Sequence, residues 1–291
     1  MIFSILPLRV HAEDSTKVDW VNGYILATGY GTAKQGTNKA YAVISSKEAG
    51  KYLAMRSLLE AIKGVYIDSQ VLVRDYIIEE DITRIKVEGL LKGAEVIDTK
   101  TTWEEGLPIT AVTMRICMSA QGTGCEPGNT LIDTLQLNKF ADSPLIPKKR
   151  YSQDTALRKP SQGTSDDDGL SKKSLNQVTG VIFSLQGHPF RRVLLPVVVT
   201  LSKDGSMSTV YSVKRVDPEI VIKYGIIRYA NTLEQAGRIE KLGDEPLIIP
   251  IEKVTDDNIL AISTNSAQKI YETTMHGNDY LRKANVAISS E

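Results

Sequence analysis

Cysteine and histidine, the side chains used most often for metal binding and for acid–base catalysis near neutral pH, are scarce in this chain. Its 291 residues include two cysteines, Cys117 and Cys125, and three histidines, His11, His188 and His276. None of the histidines has a second histidine or a cysteine at the spacing of a metal-binding motif. The sequence therefore predicts no metal site.

An excess of charge of either sign and a long hydrophobic run are also missing. Lysine and arginine number 35, and aspartate and glutamate also number 35. A nucleic-acid-binding surface needs an excess of basic residues, and a transmembrane helix needs about 20 mostly apolar residues in succession. We therefore expect no nucleic-acid partner, and we expect any contact with a membrane to be peripheral.

Several short motifs approach known signatures and then depart from them. Residues 29–36 (GYGTAKQG) resemble a phosphate-binding loop, but Thr37 stands where that loop has its lysine. Residues 166–169 (DDDG) resemble the start of a calcium loop, but Leu175 occupies the position of the bidentate glutamate. No serine lies in a nucleophile elbow. The sequence predicts neither an enzyme nor a cofactor-binding protein, and it offers no catalytic residue.

The two cysteines flank a short loop, MSAQGTG. In an oxidising compartment Cys117 and Cys125 could close this loop as a disulfide, whereas in a reducing compartment two free thiols are the alternative. The first residues favour export, because an apolar run from Ile2 to Leu8 precedes Val10-His11-Ala12, a small-x-small cleavage pattern. We therefore expect a signal-peptide remnant at 1–14, a periplasmic or cell-envelope location, and the disulfide.

The clearest structural pattern is an amphipathic helix followed by strands. Ser45 and Ser46 are expected to cap its beginning, and Gly64 its end. The apolar stripe at three- and four-residue spacing contains Tyr52, Met55, Leu59 and Ile62, and Ala49, Leu58 and Ala61 broaden it. Alternation predicts strands at 24–27, 65–73, 85–90, 94–97 and 109–116.

A second folded unit is predicted after a segment rich in Ser, Pro, Lys and Asp. The expected organisation is a first domain at 15–140, a flexible linker at 141–176 and a second domain at 177–291. Strands in the second domain are predicted at 181–185, 194–201, 207–213, 247–251, 259–262 and 285–288, with a hairpin turn at 203–206. Helices are predicted after Asp217-Pro218 and Thr232 and near 266–276. Each domain is expected to be α+β, with helices packed on a mostly antiparallel sheet.

Three features of the first domain together resemble a known family. They are Trp20 to Gly31 (WVNGYILATGYG), the helix from Ala49 to Gly64, and the segments Val65–Ser69, Val87–Gly89 and Gly93-Ala94. Residues 18–118 thereby resemble the domain of twenty-kilodalton-type bacterial surface lipoproteins, also seen in flagellar outer-membrane ring and basal-disc proteins. The second half resembles a domain often joined to it in uncharacterised envelope proteins, through residues 179–182, 194–196, 210–211, 225–229 and 246–247.

The resemblance implies a non-enzymatic envelope component that forms oligomers, and it carries over no catalytic residue. Members are commonly anchored through an N-terminal cysteine, whereas no cysteine precedes Cys117 here, so we expect a form without that anchor. The predicted function is an interaction or structural protein of the cell envelope that supports a flagellum or another assembly, with partners among other envelope proteins or copies of itself. The alternative is a binding module for a small ligand or cell-wall material in an interdomain cleft.

Overall fold

The computed structural model describes residues 15–79, 81–122, 124–137, 177–201, 206–275 and 278–291. The predicted signal remnant, the linker at 141–176, the acidic motif at 166–169, most of the turn at 203–206, and the histidines His11 and His276 lie outside these ranges. Two compact units interleave along the chain. The N-terminal unit contains residues up to Val18, Ile25–Ile62 and Leu91–Ile116; the C-terminal unit contains Asp19–Tyr24, Lys63–Leu90 and Cys117–Glu291. The predicted domain limits stay a prediction.

A helix on a four-stranded sheet forms the core of the N-terminal unit. The helix is α1 (Lys39–Lys63), and the strands are β1 (Ser15–Asp19), β2 (Tyr24–Thr32), β3 (Glu95–Glu104) and β4 (Leu107–Cys117). The strand order is β1-β2-β4-β3, and β3 pairs with β4 antiparallel. In β2 and β4 every second residue is buried, as expected of strands that pack one face against a helix. The alternation predicted for 109–116 is confirmed.

Helix α1 begins earlier than the sequence predicted. Asn38 caps it, because its side-chain Oδ1 accepts a hydrogen bond of 2.8 Å from the backbone N–H of Tyr41. Ser45 and Ser46, the predicted caps, instead lie inside the helix and donate to carbonyls one turn earlier, at 3.1 and 2.9 Å. The predicted end is correct, since α1 stops one residue before Gly64.

The buried face of α1 also differs from the predicted stripe. Tyr52 is 70% exposed, Met55 and Leu59 are half-buried, and Ile62 is buried as predicted. The buried row follows a strict four-residue spacing: Ala42, Ser46, Gly50, Ala54, Leu58 and Ile62. Small residues dominate this row because the helix lies so close to the sheet that large side chains would not fit between them.

Glycines in β2 make this close approach possible. A Cβ atom on Gly31 would lie 2.1 Å from the carbonyl oxygen of Ser46 and 2.2 Å from the backbone nitrogen of Gly50. A Cβ atom on Gly29 would lie 2.3 Å from Gly50 O and from the backbone nitrogen of Ala54. These distances are well inside van der Waals contact, so only glycine is compatible with the observed spacing.

The segment after α1 is more helical than predicted. Residues 65–73 form a tight turn with one bridge between Tyr66 and Leu72. Helices α2 (Val73–Glu79) and α3 (Asp81–Lys92) follow, where a strand was predicted at 85–90. The strand prediction was wrong because an alternating run of six residues is too short to distinguish a strand from a helix. In α3, Val87, Leu90 and Leu91 are buried at helical spacing.

Two further four-stranded sheets build the C-terminal unit. The strands are β5 (Gly180–Ser184), β6 (Val198–Leu201), β7 (Met207–Tyr211), β8 (Arg228–Ala230), β9 (Pro246–Pro250), β10 (Lys253–Val254), β11 (Leu260–Ile262) and β12 (Val286–Ser289). One sheet has the order β10-β11-β6-β7 and mixes parallel and antiparallel pairs. The other has the order β8-β12-β5-β9, and its three pairs are all parallel.

The α+β class is confirmed, and the parallel sheet is a departure from the expected antiparallel pairing within the second domain. Its central strands β5 and β12 are buried at every position. A strand buried on both faces has an unbroken apolar sequence, as in the VIF of β5 and the VAI of β12, and this is typical of parallel sheets.

The same unit, which also contains α2 and most of α3, has four further helices among its described residues: α4 (Leu131–Leu135), α5 (Pro218–Tyr224), α6 (Leu233–Gly237) and α7 (Thr264–Met275). The predicted caps are confirmed, because the side chains of Asp217 and Thr232 accept hydrogen bonds from the backbone N–H groups of Glu219 and Gln235. Among the described residues, none of the helices combines the length and apolarity needed to cross a bilayer.

The contact between α1 and β2 generates a prediction about stability. We expect Gly31→Ala to lower the free energy of unfolding by about 2 kcal/mol or more, because the new methyl group would overlap backbone atoms of α1. Chemical denaturation measures this difference.

Gly89→Ala is the matched control. Gly89 lies in α3 with no atom within 4 Å of an added Cβ, so alanine is expected to raise the stability by about 0.5–1 kcal/mol through its helix propensity. Equal stability of the Gly31→Ala and Gly89→Ala variants would show that α1 does not pack against the glycines of β2.

Candidate functional site

The disulfide loop lies at the end of β4. Cys117 and Cys125 are joined, with their Cα atoms 5.6 Å apart, and the described part of the chain has no free cysteine. The loop is closed further by a 3.0 Å hydrogen bond from the Cys125 N–H to the carbonyl of Gly122. Gly122 itself lies against the backbone of Asn22, where a Cβ atom would come within 2.2 Å of the carbonyl oxygen.

Gln121, within this loop, links it to the turn that leads into β8. Its side-chain Nε2 donates to the carbonyls of Tyr224 and Ile227, at 3.0 and 2.9 Å. The backbone N–H of Ala120 also donates to the carbonyl of Lys223 at 3.3 Å. The disulfide loop therefore holds the chain between α5 and β8 through both side-chain and backbone contacts.

Beside Gln121 the C-terminal unit has an open groove of about 780 Å³. Polar and apolar surface contribute about equally to its described lining, which includes three basic residues, Arg228, Lys241 and Lys283, and one acidic residue, Glu240. Amide side chains also face it, namely those of Gln121, Gln235, Asn278 and Asn285. We refer to this feature as the basic groove.

The basic groove lies at the amino ends of the parallel strands. Arg228 is the first residue of β8, and Asn285 directly precedes β12. Since β8 and β12 are parallel neighbours, these two residues lie at the same edge of the sheet. Lys283 lies in the turn before β12, and Lys241 lies in a 3-10 turn at Glu240–Leu242. Nucleotides bind open parallel sheets at the opposite, carboxyl edge, so the basic groove is not a nucleotide crevice of that type.

Arg228 is buried, with 8% of its surface exposed. Its Nη1 donates to the carbonyls of Tyr224 and Ile227 at 3.1 and 3.3 Å. Burial lowers the pKa of its guanidinium to about 10, an effect opposed by the nearby hydroxyls of Tyr211 and Tyr224. Burial also raises the pKa of Tyr211. Both groups keep their ordinary charge at neutral pH, so Arg228 is a positive charge held inside the unit.

The two lysines reinforce this charge. Burial lowers the pKa of Lys241, and the positive charges of Arg228 and Lys283 lower it further. Lys241 Nζ also lies 5.5 Å from the centroid of the Tyr224 ring, a cation–π contact. None of these three cations forms an ion pair with a carboxylate of the described chain.

A second surface of interest is β3, an edge strand of the N-terminal unit. All ten of its residues are exposed, among them Val96, Ile97 and Trp103. The outward face of α1 in the same unit exposes three further large apolar side chains, those of Tyr41, Ile44 and Tyr52.

The glycines of the phosphate-loop-like segment and His188 have structural roles. Gly29 and Gly31 of the phosphate-loop-like segment lie against α1, so no ligand could approach their backbone. His188 lies in a turn, where its backbone N–H donates to the carbonyl of Leu185 at 2.8 Å. Within the described ranges, no three His, Cys, Asp or Glu side chains cluster closely enough to hold a metal ion.

Sequence reasoning missed the basic groove. Arg228, Lys241 and Lys283 are far apart in the chain, and lone basic residues are usually solvated. One signal was present, since Arg228 follows Gly-Ile-Ile and precedes Tyr-Ala. A charged residue inside such an apolar strand is expected to be buried, and a buried charge needs a reason.

The disulfide loop generates a prediction. We expect the double variant Cys117→Ala and Cys125→Ala to lose about 2–3 kcal/mol of stability, because the open loop gains entropy in the unfolded chain. Urea denaturation in the absence of reductant measures this loss. Dithiothreitol should lower the stability of the unmodified protein similarly and leave the variant unchanged; a variant as stable as the oxidised protein would contradict the prediction.

Comparison with known proteins bears on the C-terminal unit. No significant match is found among curated proteins. Residues 180–290 match a protein-family model described as the second domain of Treponema pallidum Tp0624. The matched segment begins with β5 and includes β12, so it contains both sheets of the unit. Over these residues the chain is therefore similar to a domain of a bacterial protein.

Proposed function

We propose that this protein is a non-enzymatic component of the bacterial cell envelope, periplasmic or at the cell surface, that acts by binding other protein chains or copies of itself. A role beside a flagellum or another envelope assembly is part of this proposal and rests on the resemblance of residues 18–118 to the lipoprotein family. No catalytic step is included, because the sequence holds no complete catalytic motif.

Strand β3 is the observation that carries the proposal. Edge strands offer unpaired backbone N–H and C=O groups, and proteins usually keep such strands short or covered. Here the edge strand has ten exposed residues and bears Ile97 and Trp103, which are 44% and 43% exposed. A long exposed edge with apolar side chains suits the addition of a strand from another chain. The charges of Glu95, Asp98 and Lys100 on the same strand would select among partners.

The disulfide supports the location. Disulfides form and persist in oxidising compartments and are rare in the cytosol. Cys117 and Cys125 are bonded within a loop that holds the chain between α5 and β8, so the C-terminal unit would be best ordered where the bond is stable.

A second candidate function is the binding of a small ligand. The sequence predicts this function for a cleft between domains, and the observation that favours it is the basic groove within the C-terminal unit. The two candidate functions use different units of the protein and do not exclude one another.

Oligomeric state tests the first proposal. Size-exclusion chromatography with light scattering over a range of concentrations should reveal oligomers of the unmodified protein. We expect Ile97→Lys combined with Trp103→Lys to shift them to monomers, because lysine on an edge strand opposes pairing with another strand.

Ile248→Lys is the matched control. Ile248 is 52% exposed on β9, an edge strand of the parallel sheet, so it adds the same charge to another edge and should leave the oligomers intact. A protein that is monomeric at every concentration and captures no envelope protein through β3 would refute the proposal.

A further inference from the structure

We infer that the basic groove binds the phosphate group of a small ligand. This inference deepens the second candidate function and rests on it, and it is independent of the pairing proposed for β3. It goes further by assigning a chemical class to the ligand and by naming the residues that recognise it, chiefly Arg228, Lys241 and Lys283.

The basic groove has an excess of positive charge. Three cations line the groove, and Glu240 is the single carboxylate among its described lining residues. Like charges at close range in a partly buried site repel one another strongly. Arg228, Lys241 and Lys283 are held together without a paired carboxylate of the described chain. A bound anion would remove this repulsion.

The fold does not need the charge of Arg228. Its Nη1 donates to the carbonyls of Tyr224 and Ile227, but each of these carbonyls also accepts a hydrogen bond from Gln121 Nε2. Removing the guanidinium would therefore leave neither carbonyl without a donor. A buried charge without a partner is costly, so its presence is better explained by a ligand than by stability.

The hydrogen bonds of Arg228 involve one side of its guanidinium. Both hydrogen bonds of Arg228 use Nη1, and neither Nε nor Nη2 donates to a described residue. These two groups form one edge of the planar guanidinium, and such an edge binds two oxygens of a phosphate or a carboxylate at once. The amide of Asn278 also lines the groove. Its Oδ1 accepts a hydrogen bond from Lys283 Nζ, and its Nδ2 could donate to a further oxygen, whereas the Nδ2 of Asn285 already donates to the carbonyl of Thr179 at 2.9 Å.

The charge of the site selects phosphate over carboxylate. With Glu240 counted, the lining has a net charge of about +2 at neutral pH, and a phosphate monoester carries about −1.5 to −2, whereas a carboxylate carries one negative charge. The ring of Tyr224 and the side chain of Ile239 form an apolar part of the lining. An ester with a small apolar group therefore fits better than the bare ion.

Calorimetric titration of the full chain tests the inference with three probes: inorganic phosphate, phenyl phosphate and benzoate. We expect phenyl phosphate to bind most tightly and benzoate most weakly. Lys241→Gln and Lys283→Gln should each weaken phenyl phosphate binding about tenfold, because each removes a charge-assisted contact. Lys253→Gln, which removes a lysine from β10 outside the groove, should leave the affinity unchanged.

Arg228→Met separates binding from folding. We expect this variant to melt at the temperature of the unmodified protein or above it, while its affinity for phenyl phosphate falls more than tenfold. Dihexanoyl phosphatidic acid, a soluble lipid phosphate, shows the source of the group: binding as tight as that of phenyl phosphate would favour a lipid headgroup, and weaker binding a water-soluble ester.

Three outcomes would contradict the proposals, and each would contradict a different part of them. Unchanged phenyl phosphate binding in the Lys241→Gln and Lys283→Gln variants would place the anion elsewhere and overturn the inference. Benzoate binding as tightly as phenyl phosphate, with the same dependence on the lysines, would overturn the assignment to phosphate and leave the second candidate function standing. Absence of binding for all the probes would remove both, while the oligomer test on Ile97 and Trp103 would still decide the first proposal.

Discussion

Contact between two backbones organises the N-terminal unit. Gly29 and Gly31 of β2 meet the main chain of α1 around Gly50, at distances that leave no room for a single methyl group. The helix therefore lies on the sheet through its small residues, and its large apolar side chains at Tyr41, Ile44 and Tyr52 point outward. The exposed apolar side chains of α1 follow from this arrangement, because the residues that could have formed a conventional core are turned away from it.

In the C-terminal unit, the side-chain amide of Gln121 constrains one turn of the chain. The disulfide loop positions this side chain, and its two hydrogen bonds hold the turn between α5 and β8. Since the carbonyls of that turn are satisfied by Gln121, the guanidinium of Arg228 is not required there for hydrogen bonding. The guanidinium of Arg228 is a buried charge with N–H donors that the fold does not use, and it lies beside Lys241 and Lys283. These observations are the basis for assigning an anionic ligand to the basic groove.

The sequence predicted the structure best where a short local pattern determines the backbone. Asp217-Pro218 and Thr232 predicted the starts of α5 and α6, and the alternation in 109–116 predicted the buried face of β4. Prediction failed where two structures share one pattern. The alternating residues 85–90 belong to a helix, and the apolar runs of β5 and β12 pair in parallel although a mostly antiparallel sheet was expected.

By itself the sequence determined the α+β class, most of the C-terminal strands and helices, and the places where turns and caps occur, because these depend on interactions between residues a few positions apart. Only the tertiary structure decided which face of α1 is buried, since that depends on glycines of another element. It also decided the convergence of Arg228, Lys241 and Lys283, which parallel pairing of distant strands brings to one edge of a sheet. Spacing along the chain contains no information about such a site, because its residues become neighbours only when the strands pair.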